Sequence, residues 1–321
     1  MGASRRSRPW AGFRSILCPI DFSDQSRLAL HYAHAIAVRA RAALHVCYVN
    51  DPLLVAAASS RLRYPGIVTK SKRELRRFVD STLTDRSPTR ALLTFSALAG
   101  EPADQILKAA ERHRADLLVL GTHGLTGVER LLLGSTTLSV LQRTKVPVLA
   151  VPQAKEGNDS RPSPSWPGNR ILAGVELDGD SRGDIDAAVR LAGWFGSSLL
   201  LVHVIAAMTA PAWLSGDSNA RQRKLLATAE AQLNKLAAAE RGDVPVEVRV
   251  VCGRIADEIP AIAASEHVEL VVTALRDRRS WLGARRGSVS YHLLTRAIGP
   301  VLAYPPEWTR ALRNAKRRIA F

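Results

Sequence analysis

Short apolar runs alternate along this chain with longer stretches whose apolar positions recur three and four residues apart, the periods of buried strand and amphipathic helix. In the first half the pattern predicts strands over Ser15–Ile20, Ala43–Val49, Leu92–Ala97, Asp116–Leu120 and Val146–Val151. Helices fit between them. Ser23 offers an N-cap to a helix carrying Leu28, Ala29, Ala33 and Ile36 on one face, and Pro102 stands where a first helical turn tolerates proline. Near-continuous apolar strands separated by helices specify a parallel sheet covered on both faces. Such sheets take ligands at the carboxyl ends of their strands, where the strand order reverses.

The pattern then repeats. Gly100-Glu101-Pro102-Ala103-Asp104-Gln105-Ile106 returns 153 residues later as Gly253-Arg254-Ile255-Ala256-Asp257-Glu258-Ile259. The same offset takes Gly134-Ser135 to Gly287-Ser288 and Val146-Pro147-Val148 to Gly299-Pro300-Val301, and an offset of 155 takes Ile16–Asp21 to Ile171–Glu176. The chain reads as a tandem duplication. The expected organisation is a basic N-terminal tail (1–13), a first domain (14–152), a linker rich in Pro, Ser and Gly (153–168), a second domain (169–305) and a basic C-terminal tail (306–321). The fold class is α/β: two tandem, doubly wound, five-stranded parallel-sheet domains of Rossmann-like type.

Composition agrees, since 321 residues with 46% hydrophobic and 23% charged suit two globular cores. The net charge of +16 raises the question of an anionic partner. The first 152 residues carry +11 and the remainder +5, and each terminus contributes +4 of the total. Neither zinc-finger spacing nor an aromatic RNA-binding signature accompanies this charge, so a solvated basic surface is the simpler expectation. Tethering of the tails to nucleic acid or anionic lipid ranks behind it. Cys18, Cys47 and Cys252 each lie in an apolar run, and an odd count without a CxxC pair points to free thiols in a reducing cytoplasm. No apolar run is long enough for a signal peptide or a membrane-spanning helix.

The stretch after the fourth strand carries the chemistry. Gly121 and Gly124 let the backbone turn and approach a bound group, and Gly134-Ser135-Thr136-Thr137 opens the last helix of the first domain. Unpaired N–H groups, hydroxyls and the positive end of a helix dipole suit phosphate. The alternative is a glycine-rich loop with a Ser/Thr helix cap and no ligand. Walker A, dinucleotide and nucleophile-elbow motifs are all missing, and the eight histidines show no metal-ligand spacing.

At Gly121, Gly124, Gly134 and Ser135 the chain matches G-x2-G-x9-G-[S/T], and here it resembles the universal stress protein family, specifically its ATP-binding subgroup. Ile16–Ser23, Gly100–Ala103 and Val146–Leu149 resemble that family's first strand and loop, helix start and last strand. The resemblance implies that Asp21, flanked by Pro19 and Ile20, accepts hydrogen bonds from adenosine, although a helix-capping role for Asp21 stands beside it. It implies that Val49 packs on adenine, that Leu120 and Gly121 complete the wall, and that Gly124, Gly134, Ser135 and Thr136 admit and hold phosphates. His123 and Arg130 lie in the same loop, as phosphate contacts or as surface.

The second copy departs from this pattern. Gly121 becomes Ala274, Gly124 becomes Asp277 and Asp21 becomes Glu176, so its site is expected to be degenerate, although five arginines at 276, 278, 279, 285 and 286 could attract another anion. The resemblance thus implies ATP, ADP or AMP, with Mg²⁺, bound in the first domain of a cytoplasmic regulatory protein with an unidentified protein partner. Its alternatives are a ligand-free interaction module and a weak ATPase or phosphate-transfer enzyme that lacks an evident base. The resemblance also implies pairing of the two domains through their last strands, Val146–Val151 and Pro300–Tyr304, and a homodimer.

Overall fold

A computed structural model describes residues 10–52, 66–83, 92–122, 133–153, 161–178, 180–207, 215–275, 289–296 and 299–319. The described residues form two compact units, one within 13–166 and the other within 10–12, 167–275 and 289–319.

In the first unit, β1 (Ser15–Ile20), α1 (Asp24–Ala40), β2 (Ala43–Asn50), α2 (Ile67–Thr82), β3 (Leu93–Ala99), α3 (Pro102–Arg112), β4 (Leu117–Gly121), α4 (Ser135–Arg143) and β5 (Val148–Val151) follow in order. The strands pair in parallel as β3-β2-β1-β4-β5. Helices α1 and α2 lie together on one face, and α3 and α4 on the other. The central strands bury nearly every side chain, as a sheet covered on both sides must, while edge strand β3 buries fewer. Strand β4 starts one residue later than the pattern predicts, just after Asp116. Its carboxylate accepts from the backbone N–H groups of Arg14 and Ser15, tying the starts of β1 and β4 together.

Caps and turns follow the sequence closely. Ser23 caps α1 by accepting from Ser26 N–H, and Glu101 caps α3 by accepting from Ala103 and Asp104 N–H, with Pro102 in the first turn. The repeated glycine has a steric reason. A Cβ at Gly100, whose φ is +139°, would collide with the Gln105 side chain, and a Cβ at Gly253 would collide with Glu258 at the equivalent place. Cys18 and Cys47 are free and buried, and burial pushes both thiols up. In the register Cys18 faces Val46 while Pro19 faces Cys47, so the two thiols point to opposite faces of the sheet.

The second unit repeats the plan with β6 (Arg170–Gly174), α5 (Ser181–Phe195), β7 (Ser198–Ala206), α6 (Ser215–Glu240), β8 (Val246–Gly253), α7 (Ile255–Ser265), β9 (Val271–Ala274), α8 (Val289–Arg296), β10 (Val301–Tyr304) and α9 (Pro306–Ile319). Its parallel order is β8-β7-β6-β9-β10. Two segments are more structured than their composition suggests. Residues 306–319, read as a tail, form α9, which buries Thr309 and Leu312 and sets Trp308 against Tyr304 and Trp10. The apolar stripe of Trp308 and Leu312, one turn apart, outweighs the basic composition of that helix. Within the stretch read as a linker, Trp166 is buried with its ring edge-on to Tyr32. Aromatic area of this size gains more from burial than the loop loses in freedom.

Two features set pH dependence, a half-buried histidine pair and a buried carboxyl. The rings of His45 and His113 stack 4.0 Å apart, and burial pushes both below the usual imidazole range, helped at His45 by His113 and at His113 by Arg112. The unfolded chain therefore binds more protons than the folded one as pH falls through about 6.5, and stability drops there. His113→Asn should flatten the fall in urea midpoint between pH 7.5 and 5.5; equal slopes in variant and wild type would contradict this.

Asp184 in α5 behaves oppositely. Burial pushes its carboxyl up to about 7, assisted by Asp180 and Glu176 and opposed by Arg313. The folded state then holds a proton that the unfolded state has released, so this residue lowers stability as pH rises from about 4 to 7. Asp184→Asn should gain stability over wild type at pH 8 and show no gain at pH 4. A gain of the same size at both values would rule out the titration.

Candidate functional site

The parallel order reverses direction at β1 and β4, and the chain opens a crevice above their carboxyl ends. A cavity of about 300 Å³ lies there, a size ordinary for a small-molecule site. From β1 and the turn after it come Pro19, Ile20 and Asp21; from β2 come Tyr48 and Val49; from β4 come Leu120 and Gly121. Gly134, Ser135, Thr136 and Thr137 at the start of α4 close the far side. Nine of the eleven residues that the sequence nominates thus line one cavity. The other two, His123 and Gly124, lie outside the described residues, as do Arg130, Asp277, Gly287, Ser288 and the five arginines of the second copy's loop.

The turn after β1 is built by local hydrogen bonding and strain. Asp21 Oδ1 accepts from Ser23 N–H at 3.0 Å and from Ser23 Oγ–H at 2.5 Å, and Ser23 in turn caps α1. Asp21 is therefore part of the capping structure, with one oxygen. Oδ2 has no hydrogen bond among the described residues and remains able to accept one. Phe22 between them adopts φ +66°, a left-handed conformation that costs a non-glycine residue about 1 kcal/mol or more. Ring contacts hold it there, 4.7 Å to Tyr48 and 5.5 Å to Phe78. Burial, with Asp21 and Asp51 nearby, pushes the Tyr48 phenol up, so it stays protonated at neutral pH. Asn50 fixes the end of β2 by donating to Leu98 O and accepting from Ser71 Oγ–H.

The α4 end is arranged differently from its neighbours. Gly134 is the N-cap residue and supplies no side chain, whereas Ser23 and Glu101 cap α1 and α3. A helix start has N–H groups without intrahelical partners, here those of Ser135, Thr136 and Thr137, and they border the cavity beside the hydroxyls of exposed Ser135 and half-buried Thr136. The N–H of Gly134 is engaged, donating to Thr122 O at 2.8 Å. Thr137 Oγ1 donates to Gly121 O, also at 2.8 Å. Asp21 is the one formally charged residue lining the cavity among the described residues. The arrangement suits an apolar ring between β1, β2 and β4, with a polar acceptor at one end and an anion at the other.

Five lining residues escaped the sequence reading: Ser26, Tyr48, Pro102, Ile106 and Thr137. Thr137 was within reach, three residues after the motif glycine on the same helical turn. Strand alternation would send Tyr48 and Val49 to opposite faces, but at the open end of a strand both border the crevice. Pro102 and Ile106 enter from α3 on the far face, which no local pattern reveals. Among the described residues no group of three or more His, Cys, Asp or Glu side chains is placed to hold a metal, and no helix is long and apolar enough to cross a membrane.

Comparison with known proteins gives a consistent answer. The family model described as the universal stress protein family matches twice, over residues 12–152 and 168–305. A universal stress protein of Methanocaldococcus jannaschii is 31% identical over 144 residues, covering 45% of this chain and 85% of that protein. One from Thermus aquaticus is 35% identical over 144 residues, covering 43% of this chain and 98% of its own. Among solved structures, a universal stress protein from Archaeoglobus fulgidus superposes with a TM-score of 0.58 at 18% identity, over 91% of this chain and 96% of the other, which speaks to the fold. With the motif glycines, the switch-point cavity and two matches to the same family model in one polypeptide, this chain belongs to the universal stress protein family, as a tandem member with two Rossmann-like α/β domains.

Proposed function

We propose that the first domain (14–152) binds ATP, ADP or AMP in the cavity above β1 and β4, and that the protein acts as a nucleotide-dependent regulator in the stress response, not as an enzyme. One observation carries this reading: Asp21, Val49, Gly121, Gly134, Ser135 and Thr136, drawn from four separated segments, line a single cavity whose anion end is a helix start without a side-chain cap. Adenine would lie against Val49, Pro19 and Ile20, the adenosine would donate to Asp21 Oδ2, and Leu120 and Gly121 would complete the wall. Phosphate would take the N–H and hydroxyl groups of Ser135 and Thr136, with Gly124 and His123 in the intervening loop. Gly134 serves through its lack of a side chain, because its own N–H is already spent on Thr122 O.

A Mg²⁺ ion would ride on the phosphates. At the phosphate end the described cavity would offer it the hydroxyls of Ser135 and Thr136, in keeping with the few protein ligands that Mg²⁺ uses at nucleotides. Turnover needs a base beside the phosphates, and Asp21 stands at the adenosine end with one oxygen committed to Ser23. Binding that biases conformation, passed to a protein partner, is the function that this site supports.

The second domain (169–305), joined through the linker at 153–168, holds nucleotide weakly or not at all in this reading. Ala274 adds a Cβ where Gly121 has none, and Glu176 is longer than Asp21. The expected stoichiometry is therefore about one nucleotide per chain, read by isothermal titration calorimetry. At a free concentration about a hundred times Kd, binding adds about 2.7 kcal/mol to stability, a rise of several degrees in Tm. Gly124→Asp, which installs the second copy's residue in the first, should abolish that rise. If neither ATP, ADP nor AMP shifts Tm, the reading fails, and two equivalent sites per chain would overturn its account of the second domain.

A further inference from the structure

The two copies share one hydrogen bond that the glycine motif does not include. Thr137 Oγ1 donates to Gly121 O across 16 residues at 2.8 Å, and Ser290 Oγ donates to Ala274 O across the same 16 residues at 2.5 Å. Thr137 and Ser290 are 153 residues apart, as are Gly121 and Ala274. Both hydroxyl residues are buried, 6% and 3% exposed, in the first turn of a helix. The bond survives in the copy that has lost the glycine at its acceptor, so it belongs to the scaffold beneath the loop and does not depend on that glycine.

Its position gives it a consequence. The first domain's loop leaves at Gly121 and returns at Gly134, and two bonds close its base: Gly134 N–H to Thr122 O and Thr137 Oγ–H to Gly121 O. α4 has no side-chain cap, and these two bonds tie its start to the end of β4. The first aims a backbone group, and any residue but proline at 134 would make it; the second needs a hydroxyl at 137. An N–H donor contributes to phosphate binding only when held within a few tenths of an ångström of its place.

We propose that Thr137 is a positioning residue for the phosphate end of the nucleotide site: its hydroxyl locks the first turn of α4 to the carbonyl of Gly121 and so sets the N–H groups of Ser135 and Thr136 on the phosphate. This rests on the nucleotide reading of the cavity. The adenosine end, built on β1 and β2 with Leu120 and Gly121 held in β4 by pairing with β5, does not depend on the lock. ATP and adenosine should therefore respond differently to its loss, which general destabilisation would not cause.

The test compares wild type, Thr137→Val, which keeps the shape and removes the donor, and Thr137→Ser, the residue of the second copy. Dissociation constants for ATP and for adenosine are measured on the full chain, with Tm of the free protein alongside. Thr137→Val should weaken ATP about tenfold, the scale of one lost hydrogen bond, and leave adenosine within about twofold; Thr137→Ser should restore ATP binding. Should the valine variant fail to fold, Thr137→Ala carries the same expectation. Equal weakening of ATP and adenosine, unchanged ATP affinity, or failure of serine to rescue would each overturn the positioning role while leaving the nucleotide reading intact. A wild-type chain that binds neither ligand would overturn both.

Discussion

The pairing of β1 with β4 is the constraint on which the site depends. These strands come from sequence positions about a hundred residues apart, yet Ile16 lies opposite Leu117 and Leu17 opposite Leu118. The Asp116 carboxylate secures the register by taking the N–H groups of Arg14 and Ser15 at the amino ends of the two strands. From β1 the chain leaves through α1 on one face of the sheet; it arrives at β4 through α3 on the other. Among the described residues nothing crosses directly above the junction, and that gap is the cavity. Asp21 and Gly121 border one crevice because their strands are neighbours. A helix start that would elsewhere be an ordinary solvated terminus becomes one wall of a site.

The duplication separates what the scaffold requires from what the ligand requires. Both units use the same strand order, the same glycine before α3 and α7 to clear a side chain five residues on, and the same hydroxyl-to-carbonyl bond beneath the loop. The first unit has glycine at 121 and aspartate at 21; the second has alanine and glutamate there. A fold that needs only its packing and stem bonds tolerates those changes, because a methyl group at the mouth of a crevice costs the core nothing. A bound nucleotide would feel them directly, at its adenosine end. Excess positive charge shows a similar division, since part of what composition assigns to a tail belongs to α9, held by Trp308 and Leu312 against the second unit.

Much of this was legible in the amino-acid order. Apolar runs placed the strands to within one or two residues, since burial on both faces demands uninterrupted apolar sequence. The repeat offset exposed the duplication, the Ser23 cap and Pro102 marked helix starts, and the glycine spacing pointed to the β4–α4 loop. These are properties of neighbouring residues, and neighbours in sequence carry them whatever the rest of the chain does. Asp116 as a strand clamp, Trp166 as a buried side chain, Ile106 as a cavity wall and the spent N–H of Gly134 were decided only by tertiary structure. Each depends on a partner brought close by a crossover of the chain, and no local periodicity records which distant group will arrive.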